Sequence, residues 1–232
     1  MISCINLFRK KTDMSQEEFN SRWANGHAAL CMAIPGICGY EQNAVFLKEK
    51  GDAYSELVTA DGFSIERYET LHEYEAAAVS PEYKAAAEDR RSFADRVETY
   101  VCLENISIPA SVQNGAKKKM TLLGRSERKV SFEDFTREWL VLHSGCMVKM
   151  PRDIFFGYNQ HLIIDRLING RHVPYEDLPS DGILELYYSE PEAVANAFKT
   201  TPEGRMTVAH RKEFMSRVNA FQVNYKKLFL II

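Results

Sequence analysis

Apolar residues recur at helical spacing along Ser15–Tyr40, where Phe19, Trp23, His27, Cys31 and Ile34 form one stripe with polar residues between them. Ser15 with Glu18 three residues later predicts an N-terminal capping box, and Pro35-Gly36 predicts the stop. Residues 2–8 predict a short buried strand before this helix. Residues 37–47 predict a strand after it, with Tyr40, Gln42, Ala44 and Phe46 on one face. Residues 48–60 form a polar connection, 61–68 a third strand, 71–79 and 81–96 helices, and 97–106 an alternating fourth strand. The first unit is therefore βαββαβ with a split second helix.

The pattern then restarts. Ser131, Phe135, Trp139, His143 and Pro151 repeat Ser15, Phe19, Trp23, His27 and Pro35 at a constant offset, and the two tryptophans are the only ones in the chain. Strands are predicted at 120–124, 155–164, 182–188 and 218–232, and helices at 131–150 and 190–199. Treating Arg152-Asp153 as an insertion aligns Tyr40 and Gln42 with Tyr158 and Gln160, and Asn43 with His161. The closing signature repeats as well: Arg90, Phe93 and Arg96-Val97 match Arg211, Phe214 and Arg217-Val218, with Asp89 replaced by His210. Ser107–Lys119, containing Pro, Gly and three lysines, is expected to be a solvated linker between units 1–106 and 120–232. An α+β fold follows: two tandem ferredoxin-like βαββαβ units, each a four-stranded antiparallel sheet with helices on one face. The two sheets cover each other in an intrachain α/β barrel.

Composition narrows the function classes. With 45% hydrophobic and 26% charged residues the chain has material for a sizeable core, and a formal net charge of −3 supplies no field for nucleic acid or an anionic membrane. No signal segment or membrane span is expected, so a cytoplasmic location is. Five cysteines without a CxxC spacing predict reduced thiols. The expected partner is a small-molecule substrate, with a second copy of the chain if chains associate.

A titratable imidazole in both stripes, where any large apolar residue would serve packing, makes His27 and His143 candidate acid/base groups. The alternative is a core histidine satisfied by a backbone carbonyl. Tyr40 and Tyr158 are candidate proton donors to a substrate carbonyl, or core-capping tyrosines. Trp23, Trp139, Gln42, Gln160, Asp89 and His210 are candidate substrate-binding residues, with core packing as the alternative for the two tryptophans. Asp89 orients a histidine or, as preferred here, pairs with Arg90 or Arg96. His210 takes its place in the second half. His27 with Cys31 and His143 with Cys146 have ligand spacing but no third ligand on the stripe, so no metal is expected. No GxGxxG, P-loop or GxSxG segment is present, and no cofactor is expected.

The pattern of Arg9-Lys10, Phe19, Trp23, His27, Pro35, Tyr40, Gln42-Asn43, Asp89, Phe93 and Arg96 resembles the EthD-like family of the dimeric α/β-barrel superfamily. The second half keeps Phe135, Trp139, His143, Tyr158 and Gln160. The family includes a muconolactone methylisomerase, in whose relatives a histidine at the His27 position lies near the pocket, and polyketide cyclases and dehydratases. The wider superfamily includes cofactor-free monooxygenases, and haem sites that need an axial histidine facing a wide cavity. The resemblance implies a cofactor-independent isomerase or lyase acting on a small apolar carbonyl compound, such as a lactone or aromatic polyketide, in a catabolic or secondary-metabolite pathway. The alternatives are cofactor-free oxygenation of a phenol and a non-catalytic binding protein. Gly26 beside His27, against Leu142 beside His143, predicts the roomier pocket in the first half.

Overall fold

A computed structural model describes residues 1–50, 58–111, 115–126 and 129–230, so parts of the 48–60 connection and of the 107–119 linker, and the last two residues, lie outside the described residues. The first half runs β1 (Ile2–Lys10), α1 (Gln16–Arg22), α2 (Ala28–Met32), β2 (Gly39–Lys48), β3 (Gly62–Tyr68), α3 (Leu71–Ala78), α4 (Pro81–Arg90) and β4 (Ala94–Ile108). The second runs β5 (Lys117–Arg125), α5 (Phe132–Arg137), α6 (Ser144–Met147), β6 (Phe155–Ile168), β7 (Arg171–His172), β8 (Gly182–Tyr188), α7 (Pro191–Thr200), α8 (Pro202–Phe214) and β9 (Met215–Leu230). The sheet order is β4-β1-β3-β2-β9-β5-β8-β6, and β6 pairs back onto β4, closing an eight-stranded antiparallel barrel with the helices outside. The halves therefore join edge to edge through β2–β9 and β4–β6 into one hydrogen-bonded sheet, rather than stacking as two.

Local chemistry accounts for the elements and for three departures. Ser15 and Glu18 form the capping box, and Ser131 accepts from the Asp134 amide. Neither histidine-bearing helix is continuous, however: Trp23–His27 and Glu138–His143 are π-helical turns inserted between α-helical segments. The helix expected over 81–96 ends at Arg90, because Phe93 must enter the core and β4 starts at Ala94. The linker expected over Ser107–Lys119 is shorter than that: β4 carries Ser107, and β5 begins at Lys117.

Strand alternation sends one set of side chains to the helices and the other into the barrel. Ile5, Leu7, Phe63, Ile65, Met120 and Leu122 belong to the inner core, whereas Cys4, Tyr40 and Tyr68 pack under α2, α3 and α4. The tryptophans lie on the sheet at glycines: a Cβ on Gly62 would meet the Trp23 ring at 2.7 Å, and one on Gly182 the Trp139 ring at 2.1 Å. Gly182→Ala is therefore expected to destabilise the protein by about 1–3 kcal/mol through overpacking, which thermal unfolding checks as a melting point lowered by several degrees. No helix among the described residues is long and apolar enough to cross a membrane.

Candidate functional site

In the first half the sequence-predicted residues come together but are closed in. His27 Nδ1 lies 3.0 Å from Asp89 Oδ2 and Nε2 lies 3.2 Å from Cys31 Sγ, with Phe8 and Phe93 against the ring. Asp89 thus orients the histidine and also takes Arg22. Its preferred partners behave otherwise, Arg90 turning to Glu66 and Arg96 to Glu98. Burial, then the Arg90 and Arg22 charges, holds the His27 pKa down to about 2. Tyr40 is fully buried, its hydroxyl accepting from Gln42 at 3.2 Å, and Gln42 also donates to the Trp23 carbonyl at 2.9 Å, pinning the π turn.

Of the two repeated histidines, the one that lines a cavity is in the second half. A cavity of about 240 Å³ opens between α8 and the sheet, lined by His143, Tyr158, Leu123, Leu184, Leu186 and Phe198 among others, with Glu49, Lys119 and Arg211 also in its wall. His27 lines neither this cavity nor the groove beside α4. The expectation from Gly26 and Leu142 fails for a geometric reason. A residue one position before the histidine points away from it around the helix, so Leu142 is exposed, while the space at Gly26 holds the Arg22 side chain.

What separates the halves is the lining. Arg90 reaches into the first half, donating to Glu66 at 2.9 Å, with Asn6 at 3.4 Å; the strand register puts Leu186 and Thr121 at the corresponding places. Without that carboxylate the corresponding Arg211 stays exposed and the cavity remains open. Asp89 is also gone. His210 stacks on His143 at 5.6 Å and bonds Glu138 at 2.9 Å instead, leaving His143 Nδ1 buried without a partner. Burial, then His210 and Arg211, brings the His143 pKa down to about 4. Burial pushes the Tyr158 hydroxyl well up; Trp139 and Gln160 lie near enough to oppose this, yet Oη has no partner of hydrogen-bond geometry. Gln160 is committed elsewhere, donating to the Trp139 carbonyl at 2.8 Å and accepting from Ser107 and Ser144. At about 240 Å³ the cavity exceeds the roughly 150 Å³ that holds benzene and falls just below the roughly 300–1,000 Å³ of ordinary ligand sites. It suits one or two fused rings and is too small for a macrocycle.

A second polar centre lies inside the barrel. Lys118, expected to be solvated, is 1% exposed and pairs with Glu41 and Glu185; strand parity places it on the inner face with Met120 and Leu122. Arg67 bridges Glu185 and Glu104 at 3.0 Å each, and His161 joins Glu185 at 2.6 Å to Ser3 at 2.7 Å. Glu104, His161 and Glu185 are close enough to share an ion, but Arg67 and Lys118 already supply the cations. The signal available in the sequence was a charge at inward parity between apolar neighbours, as in Leu184-Glu185-Leu186.

The sequence profile of the EthD domain matches residues 11–97. No curated protein matches the sequence. Among solved structures, a "putative monooxygenase" from Lactobacillus acidophilus is similar at 12% identity and a TM-score of 0.60, over 99% of this chain and 96% of that one. An anthrone oxidase-like protein is similar at 10% identity and a TM-score of 0.62, over 97% and 92%. A "putative monooxygenase" from Fusobacterium nucleatum gives 8% and 0.63, over 99% and 95%. At such identities the likeness concerns the fold. The EthD match thus covers residues 11–97 of a chain folded as a closed eight-stranded antiparallel barrel with the helices outside.

Proposed function

We propose that the chain is a cofactor-independent acid/base enzyme that removes a proton from a small, largely apolar carbonyl or phenolic compound bound beside His143. The observation that carries this reading is the pairing of two titratable side chains with unpartnered buried polar atoms, His143 and Tyr158, in the wall of one apolar cavity. A His143 pKa of about 4 keeps the imidazole neutral near pH 7 and free to accept a proton, while the raised pKa of Tyr158 keeps its hydroxyl protonated and able to donate to a carbonyl oxygen. As the substrate anion forms, the imidazolium lies beside it and the Arg211 charge in the same wall adds to it, so the anion is favoured where charge develops. Returning the proton to another carbon gives isomerisation, and loss of a β-hydroxyl gives dehydration. Reaction of the anion with dioxygen gives oxygenation, the activity for which the structurally similar monooxygenases are named. The repeated Phe, Trp, His and Gln positions support a tandem origin of the halves, with the second keeping a cavity at its histidine.

The test is solvent-deuterium exchange into 2-tetralone, a bicyclic ketone with activated C–H bonds, followed by proton NMR. Wild-type protein is expected to accelerate exchange, and Leu186→Trp, which fills the cavity, to abolish it with the fold intact by circular dichroism. Saturable binding of the ketone without accelerated exchange would instead favour a binding protein.

A further inference from the structure

A groove of about 820 Å³ lies between α4, β4 and the β6–β7 hairpin. Arg90, Val97 and Thr99 line it where Arg211, Val218 and Ala220 line the His143 cavity, so it is the first half's version of the same place. Its chemistry differs. The floor carries the Arg90 guanidinium, which is 6% exposed and committed through its terminal nitrogens to Glu66 and Asn6, while the Nε–H is buried and has no partner. Because Glu66 neutralises the guanidinium, what remains to be satisfied there is one charge-assisted donor.

The rim is basic: Lys11, Arg91 and Arg171 face Asp95. Arg91 is shared with Glu88, and Asp95 accepts from the Thr12 amide, whereas Lys11 and Arg171 make no ion pair among the described residues. Val97, Leu167 and Val173 supply an apolar wall. That wall is held in place. Asn169, with φ 50°, accepts from the Val97 amide at 2.8 Å and donates its own amide to the Val97 carbonyl at 2.9 Å, so the hairpin turn is tied to β4. The volume is in the range of ordinary ligand sites.

We propose that this groove binds a small organic monoanion, a carboxylate on an apolar ring or chain. Its carboxylate accepts from Arg90 Nε–H under the Lys11 and Arg171 charges, and its body lies on Val97 and Leu167. A neutral ligand would leave the rim charges unused, and a multiply charged one would meet an already neutralised floor. This site is separate from the His143 cavity and stands whether or not that cavity is catalytic.

Methyl NMR spectra of the full chain titrated with benzoate, with benzyl alcohol as the neutral control, test it. Saturable shifts at Val97, Leu167 and Ile168 are expected with benzoate and not with the alcohol. The double variant Lys11→Glu/Arg171→Glu, at positions not needed for the core, should weaken benzoate binding by about tenfold or more, and Ala87→Phe should block it without changing the melting point. Shifts confined to the His143 cavity, for example at Leu184, would overturn the proposal. So would no saturation by concentrations on the order of 10 mM, or an affinity unchanged by reversing the two rim charges.

Discussion

Replacing Lys118 by methionine is expected to cost about 3–5 kcal/mol of folding stability, which for a chain of this size lowers the melting point by roughly 10 °C. The ammonium is the cation shared by Glu41 and Glu185 inside the barrel. Glu185 keeps Arg67 and His161 when the lysine is lost, but Glu41 has no other ion pair among the described residues and is left buried with only the more distant Arg67 charge to offset its carboxylate. The large term is that orphaned charge and not the worth of the pair, since a buried pair roughly breaks even against apolar residues of the same size. Lys118→Met/Glu41→Leu should therefore recover more than half of the loss, as thermal or urea unfolding at neutral pH would measure. A single variant within about 1 kcal/mol of wild type would mean that water reaches the network. Acid sensitivity gives a second readout. Burial opposes ionisation of Glu185, but Lys118, His161 and Arg67 hold its carboxyl well below the usual range. A depressed carboxylate contributes stability above the unfolded value, near pH 4.3, and loses it as the pH falls towards the folded one. Removing Lys118 raises the folded value and moves acid unfolding to higher pH.

The barrel was legible because its signals are local and repeated. Capping residues, period-two alternation and the recurring Phe, Trp and His positions each act within a few residues, and the element order follows from them. Edge pairing was not legible, because whether two four-stranded sheets stack or zip together depends on their free edges; here β2 meets β9 and β4 meets β6. The π turns escaped as well. Their extra residue is stabilised from outside the helix, by Gln42 on the Trp23 carbonyl and Gln160 on the Trp139 carbonyl, so spacing within the helix does not announce them.

The candidate site was legible as a set of residue types and not as a place. His27, Asp89, Tyr40 and Gln42 do sit together, yet an arginine from α4 fills the space beside them because Glu66 and Asn6 attract it. That outcome depends on residues at positions 6, 66 and 90, on three different elements, whereas the Gly26/Leu142 contrast concerned a residue facing the other way. Lys118 was misread for a related reason. Three consecutive lysines look like a solvated run until a strand assigns alternate members to opposite faces.

Replacing His143 by phenylalanine separates function from packing more sharply than any other change. Nδ1 has no hydrogen bond to lose, and an aromatic ring can keep the contacts with His210 and Phe214. Stability near pH 7 is therefore expected to hold or rise. Below pH 6.5 the variant should gain. The lowered pKa of His143 means that the unfolded chain binds a proton the folded chain refuses, so wild-type stability falls as the pH drops from about 6.5 towards 4, and phenylalanine removes that loss. Proton exchange into the bound ketone should fall by roughly 10²–10⁴-fold, the usual contribution of a positioned general base. The wild-type exchange rate should stay level from neutral pH down to about 5, because a base with a pKa near 4 is still deprotonated there; a fall with a midpoint near 6.5 would point to an exposed histidine instead. His27→Phe is the control from the half whose histidine is enclosed. It leaves Asp89 with Arg22 as its remaining ion-pair partner and should cost stability while sparing exchange. Exchange retained in His143→Phe and lost in a folded His27→Phe protein would return the chemistry to the first half.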